Sequence, residues 1–206
     1  MRYISTLLLA LLTVAMVTSP SSAFEWRNTI VLEEDGMSWS YEEEYSGEDV
    51  GVYRSYADKN IGNNDGHISA WELMKLDHRV RNRLYGSLEK ELDVMFNGSA
   101  KNVHAFDVDA EISRSVLGST DKADIINNRY FVTYTFEKNF FEMGENVSFD
   151  GEANTDFTIT MPEGVEIIDT EGINSRFIET VDNRTILSGR FGVEGLITVE
   201  FSKRDV

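Results

Sequence analysis

The chain has 206 residues, 41% of them hydrophobic, and carries 36 acidic against 19 basic side chains, a formal charge of −17, with no cysteine. That length suffices for one well-cored domain, or for one domain carrying a small inserted unit. The charge excludes nucleic acid and anionic membrane as natural partners and favours cations or basic proteins. The missing cysteines exclude a disulfide scaffold and a thiol nucleophile.

Residues 1–23 read as a secretory signal peptide. Arg2 is its positive region, residues 4–17 form an apolar run of fourteen, and the small residues 18–23 end at a cleavage site after Ala23. The run falls short of the roughly 20 residues that span a membrane. The cleaved chain, 24–206, keeps 18 basic and 36 acidic side chains, a charge of −18, and has no second long apolar run. It is expected to be secreted or held at the extracytoplasmic cell surface, without a transmembrane segment.

Residues 24–32 read as a strand and Glu33-Glu34-Asp35-Gly36 as a turn. Met37, Trp39, Tyr41 and Tyr45 then alternate with polar residues, which makes a half-buried second strand and a hairpin. Glu43 interrupts the aromatic face, so this strand is expected at a sheet edge. From Glu48 the period changes. Val50, Tyr53 and Ala57 predict a short helix, and Leu73, Leu76, Val80, Leu84 and Leu88 predict a longer one that opens at Ser69 and ends by about Leu92. Arg79, Arg81 and Arg83 on that helix are expected to pair with the acidic surface.

The remainder reads as β structure. Phe106, Val108, Ala110 and Ile112 alternate with acids. Tyr130, Val132, Tyr134 and Phe136 form another apolar row, as do Phe157, Ile159 and Met161, and Ile197, Val199 and Phe201. Shorter candidates lie at 94–97, 165–168, 177–181 and 185–191. Eight to ten short strands between Gly, Asn and Asp clusters predict a mainly β, α+β chain: an antiparallel β-sandwich in one domain, with 48–92 inserted as a helix-loop-helix.

The loop inside that insertion carries the most chemistry. Asp58, Asn60, Asn63, Asp65, His67, Ser69 and Glu72 offer oxygens around the turn at Gly66, and Ile68 is apolar. Ca²⁺ takes six to eight oxygen ligands, which requires a sharp turn at Gly and a carboxylate returned from the next helix. These residues resemble the EF-hand loop, which recurs in extracellular modules such as dockerins. The resemblance implies ligation by Asn63, Asp65, the His67 carbonyl, Ser69 and Glu72. It puts Ile61 at the first position of a twelve-residue loop, where no side-chain oxygen exists. The alternative is an expanded loop of fifteen residues in which Asp58 and Asn60 form the opening. One ion, Ca²⁺, is expected, as a structural clamp. A metal-free account is also available: Ser69-Ala70-Trp71-Glu72 is a capping box and Asn64-Asp65-Gly66 a good turn by itself.

Other sites are weaker. Asp107, Asp109 and Glu111 share one strand face and read as a solvent row. Asp150, Glu152, Asn154 and Asp156 could hold a cation but lack a Gly at the turn. Asn97, Asn146 and Asn183 head glycosylation sequons. His67, His78 and His104 show no metal spacing, and no Gly-x-Ser-x-Gly elbow, phosphate loop or privileged acidic pair is present. The layout is loosely similar to exported proteins of prokaryotes, archaea included, which implies no activity. The reading is an exported calcium-binding, non-catalytic β-sandwich whose partner is an envelope or extracellular protein or a glycan. Its alternatives are a secreted carbohydrate-active enzyme with structural calcium, and a metal-free structural protein.

Overall fold

The computed structural model describes residues 25–204, so the signal-peptide reading of 1–23 lies outside the described residues. The chain is mainly β with few helices. In order it forms β1 (Glu25–Leu32), β2 (Gly36–Tyr45), α1 (Glu48–Tyr56), a π-helical turn (Ala57–Ile61), β3 (His67–Ile68), α2 (Ala70–Leu88), β4 (Val94–Phe96) and β5 (Val103–Glu111). A 3₁₀ turn (Arg114–Val116), β6 (Gly118–Ser119), β7 (Ile126–Phe136), α3 (Phe140–Met143), β8 (Asn146–Asp150) and β9 (Asp156–Glu163) follow. The chain closes with β10 (Val165–Glu171), β11 (Ile173–Val181), β12 (Arg184–Phe191) and β13 (Leu196–Lys203).

Seven strands make a mixed sheet in the order β11-β12-β9-β1-β2-β7-β5, antiparallel except where β1 runs parallel to β9. Four more make a second sheet, β10-β13-β8-β4. The apolar faces of the two share one core. Trp39 is its centre, fully buried, with its ring 5.0 Å from Tyr41 on its own strand and edge-on to Phe149 of the second sheet at 5.9 Å. Its Nε1 donates to Asn28 Oδ1 at 3.2 Å, and the Asn28 amide donates onward to Thr155 Oγ1 and the Asp156 carbonyl. The buried indole therefore leaves no polar atom unpaired, which is the condition for burying Trp at low cost.

β7 obeys the period of two along its whole length, with Ile126, Asn128, Tyr130, Val132, Tyr134 and Phe136 inward. β5 does not. A bulge between Ala105 and Asp107 shifts the register, and Phe106, expected in the core, is 71% exposed. β2 corrects a second expectation: it lies inside the large sheet, between β1 and β7, not at an edge. Glu43 is tolerated there because its neighbours hydrogen-bond it. The sequence also left β8 unread, where Asn146 had registered as a sequon.

α2 packs on β5 through Leu84 and Leu88. It ends at Leu88, short of the predicted Leu92, and its Arg81 pairs with Asp77 and Asp109 as expected. α1 and the start of α2 enclose a second apolar cluster built on Tyr45, Tyr53, Ile61, Ile68, Leu76 and Ile126. Arg54 of α1 is fully buried and donates to the Ser115 and Ser119 carbonyls, tying the helix to β6. Among the described residues no helix is long and apolar enough to cross a membrane.

Candidate functional site

The loop between α1 and α2 is assembled from both ends. At its entry the chain winds into a π-helical turn, with the Gly62 amide donating to the Ala57 carbonyl at 2.9 Å and the Asn64 amide to the Asp58 carbonyl at 3.2 Å. Such a turn absorbs extra residues without breaking the helix. It carries Asp58 inward to 3% exposure, where Oδ1 accepts from the Asp65 amide at 3.1 Å and Oδ2 from the Gly66 amide at 3.0 Å. The displaced front half thus reaches the Asp65-Gly66 turn. Asn60 does not come with it: its side-chain amide donates back to the Tyr56 carbonyl, and its own carbonyl accepts from Arg79.

At the exit Ser69 caps α2. Its hydroxyl accepts from the Glu72 amide while Glu72 Oε2 accepts from the Ser69 amide at 2.8 Å, a complete capping box. Glu72 Oε2 also takes the Ser69 hydroxyl, and Oε1 takes the Asn63 amide at 3.0 Å. The Ser69 amide is the main reason the Glu72 carboxyl sits below its ordinary range, aided by the Ser69 hydroxyl and the Asn63 amide; burial and the charge of Asp65 push the other way. Asp65 Oδ1 accepts from the His67 amide, Oδ2 accepts from the Asn63 side chain, and Asn63 Oδ1 accepts from the Asp65 amide. The His67 ring itself is exposed.

Two features outside the motif fix this loop. Gly62 has no room for a side chain, because a Cβ there would lie 2.3 Å from Glu72 Oε1 and 2.7 Å from the Asp58 carbonyl. β3 pairs with β6, matching His67 to Ser119 and Ile68 to Gly118, and Thr120 donates twice to the Gly66 carbonyl. Neither was visible as a motif; Gly62 had only its place between Ile61 and Asn63 to mark it.

Whether the set suits Ca²⁺ can be counted in lone pairs. An ionised carboxylate offers about four acceptor sites. Asp58 uses two, Asp65 two and Glu72 three. Asp58 and Asp65 therefore keep hard oxygen sites for an ion. Glu72 keeps one on Oε1 and becomes bidentate only if the Ser69 hydroxyl turns away. The donors fit Ca²⁺ by type, although among the described residues no three His, Asp or Glu side chains stand together as a metal-holding group.

Comparison with protein-family models and with curated proteins found no match. The site therefore stands on its own chemistry.

Burial also raises Glu43, Asp93, Asp150 and Glu152, the first two furthest. Glu43 is 4% exposed and its Oε2 accepts from the Tyr45 and Tyr130 hydroxyls at 2.6 and 2.8 Å. Burial pushes it up to about 7, against those two donors. Asp93 accepts from Tyr41 and is pushed to about 7 by burial and by the charges of Asp150 and Glu91. Asp93, Asp150 and Glu152 line a cavity with Trp26 and Tyr41, the kind of aromatic and acidic wall a glycosidase needs, yet its volume is only about 50 Å³. That is room for a water or two, far below the roughly 300 Å³ at which ligand pockets begin. Of the other predicted acids, Asp156 is paired with Arg190 and Asp109 with Arg81.

Proposed function

We propose that the chain is an exported, non-catalytic calcium-binding protein: a β-sandwich of the two sheets, whose expanded, EF-hand-like loop at 58–72 takes one Ca²⁺ as a structural clamp. The observation that carries this reading is Asp58, which crosses three extra residues to bond the Asp65 and Gly66 amides. An opening acid placed on the central turn is what a single oxygen cage requires. Asp58, Asp65 and Glu72 would hold the ion, with Asn63, the His67 carbonyl and Ser69 as neutral donors. The bound ion supplies local positive charge that ties α1 to α2; the residues themselves orient the loop through their amide bonds.

Three carboxylates and an extracellular setting place the affinity at ~10⁻⁴–10⁻³ M. At 10 mM Ca²⁺ and a dissociation constant near 1 mM the linkage amounts to about 1.4 kcal/mol, a melting shift of roughly 3–6 °C. Thermal melts with and without chelator test it, together with Glu72→Gln, which should remove the calcium-dependent part. A second reading has its own support. Because all three carboxylates already hold amides, the loop can close with no ion; melting curves indifferent to calcium and chelator would select it. A biological role in binding or envelope assembly is the companion proposal, supported by the open sheet edge at β11.

A further inference from the structure

β11 ends the seven-stranded sheet, and among the described residues no strand pairs with its outer edge. Eight of its nine residues are exposed, and it contains neither Lys nor Pro, the residues that usually blunt an edge. Phe177, Ile178 and Val181 are 59, 40 and 45% exposed. A bulge between Asn174 and Phe177 breaks its first half, where Ser175 has a φ of 57°. The regular part is therefore residues 177–181.

The pairing fixes which side chains share a face. Ile178 and Thr180 oppose the buried Leu187 and Thr185, so they stand on the core side. Phe177, Glu179 and Val181 stand on the other, an acid between two apolar residues. The nearby Arg176 is turned toward β10, donating to Thr170 Oγ1 at 2.9 Å, and Glu179 has no ion pair among the described residues.

A second copy is a poor occupant. Antiparallel self-pairing sets each residue opposite one whose number gives a constant even sum. Centred on 179 it opposes Glu179 to itself, and centred on 178 or 180 it opposes Glu179 to Phe177 or Val181. No register brings a cation to Glu179, and each copy carries −17 overall. Like charges opposed across strands destabilise pairing.

We propose that residues 177–181 accept an extended segment of a different, basic protein, added as the next strand of the sheet, with the facing pattern apolar-x-basic-x-apolar. The pattern reads the same in both directions, so it holds for parallel or antiparallel addition. Backbone hydrogen bonds supply the attachment and the alternate side chains supply the selection. The inference rests on the binding role proposed above and not on calcium.

The test uses a peptide of seven residues, threonine throughout except valine, lysine and valine at the second, fourth and sixth positions, and its twin with glutamate for lysine. Calorimetry with the full cleaved chain, in 10 mM Ca²⁺ and again in chelator, should give about tenfold tighter binding of the lysine peptide. The exposed substitution Glu179→Lys should reverse the order of the two peptides. Equal affinity for both peptides, or no heat at millimolar peptide, overturns the proposal. So does a concentration-dependent dimer lost in Phe177→Asp, which would give the edge to a second copy. Peptide binding without a calcium effect on melting, or the converse, tells the failure of one reading from that of the other.

Discussion

Asp58 and Glu72 on one side, and Glu43 and Asp93 on the other, are the same functional group placed in opposite surroundings. Asp58 and Glu72 are 3% and 5% exposed, and each is met by backbone amides; at Glu72 these donors, the Ser69 amide first, hold the carboxyl below its ordinary range. Glu43 is buried as deeply, but its partners among the described residues are two phenols; Asp93 has one phenol and the charges of Asp150 and Glu91. Burial alone therefore does not decide the state of an acid. What decides it is whether the surrounding donors outweigh the loss of water. The donors around Glu72 favour its charge, whereas the surroundings of Glu43 and Asp93 disfavour theirs.

The largest effect expected from breaking that contrast is at Asp58. Asp58→Ala leaves the Gly66 amide without its acceptor and the Asp65 amide with Asn63 Oδ1 alone, at about 4 kcal/mol in total, read as a fall in urea midpoint without calcium. A neutral result would mean the turn closes unaided.

Glu43 sharpens the other half. Its folded value of about 7 lies above the unfolded value near 4.5. Between those pH values the folded state binds the extra proton, so stability falls as pH rises from about 4.5 to 7 and then levels. The span is about 3 kcal/mol. Glu72 acts in the opposite sense, its contribution being lost only as pH falls below its unfolded value, so it does not mask this window. Glu43→Gln keeps an acceptor for both phenols and should remove the Glu43 part of the slope between pH 5 and 8, while Asp93 keeps its own.

Gly62→Ala is the smaller test. The new methyl must displace Glu72 Oε1 or the Asp58 carbonyl, an overpacking cost of about 2 kcal/mol. The loss should appear together with weakened calcium response, since both carboxylate-bearing segments shift.

Much of this was legible because it follows from period. β7 declares itself through Tyr130, Val132, Tyr134 and Phe136, and Ser69 and Glu72 declare the start of α2 by spacing alone. Phe106 was misread because a bulge is a property of pairing, which one strand's sequence does not carry. Glu43 looked like an edge marker because half of its compensation lies on Tyr130, 87 residues away. Asp58 and Asn60 looked equivalent as loop openers. They separate only when the π-helical turn points one inward and returns the other to Tyr56. Local chemistry such as the cap made by Ser69 and Glu72 is written in order along the chain, but one of the two donors on Glu43 comes from another strand.

The measurement that bears most directly on the clamp is calorimetric titration of the cleaved chain with Ca²⁺, repeated on Glu72→Gln. One site per chain at ~10⁻⁴–10⁻³ M, lost in the variant, is the predicted result. No heat at 10 mM Ca²⁺, with melting unchanged by chelator, would contradict it and leave the loop as a capped helix start closed by its own amides.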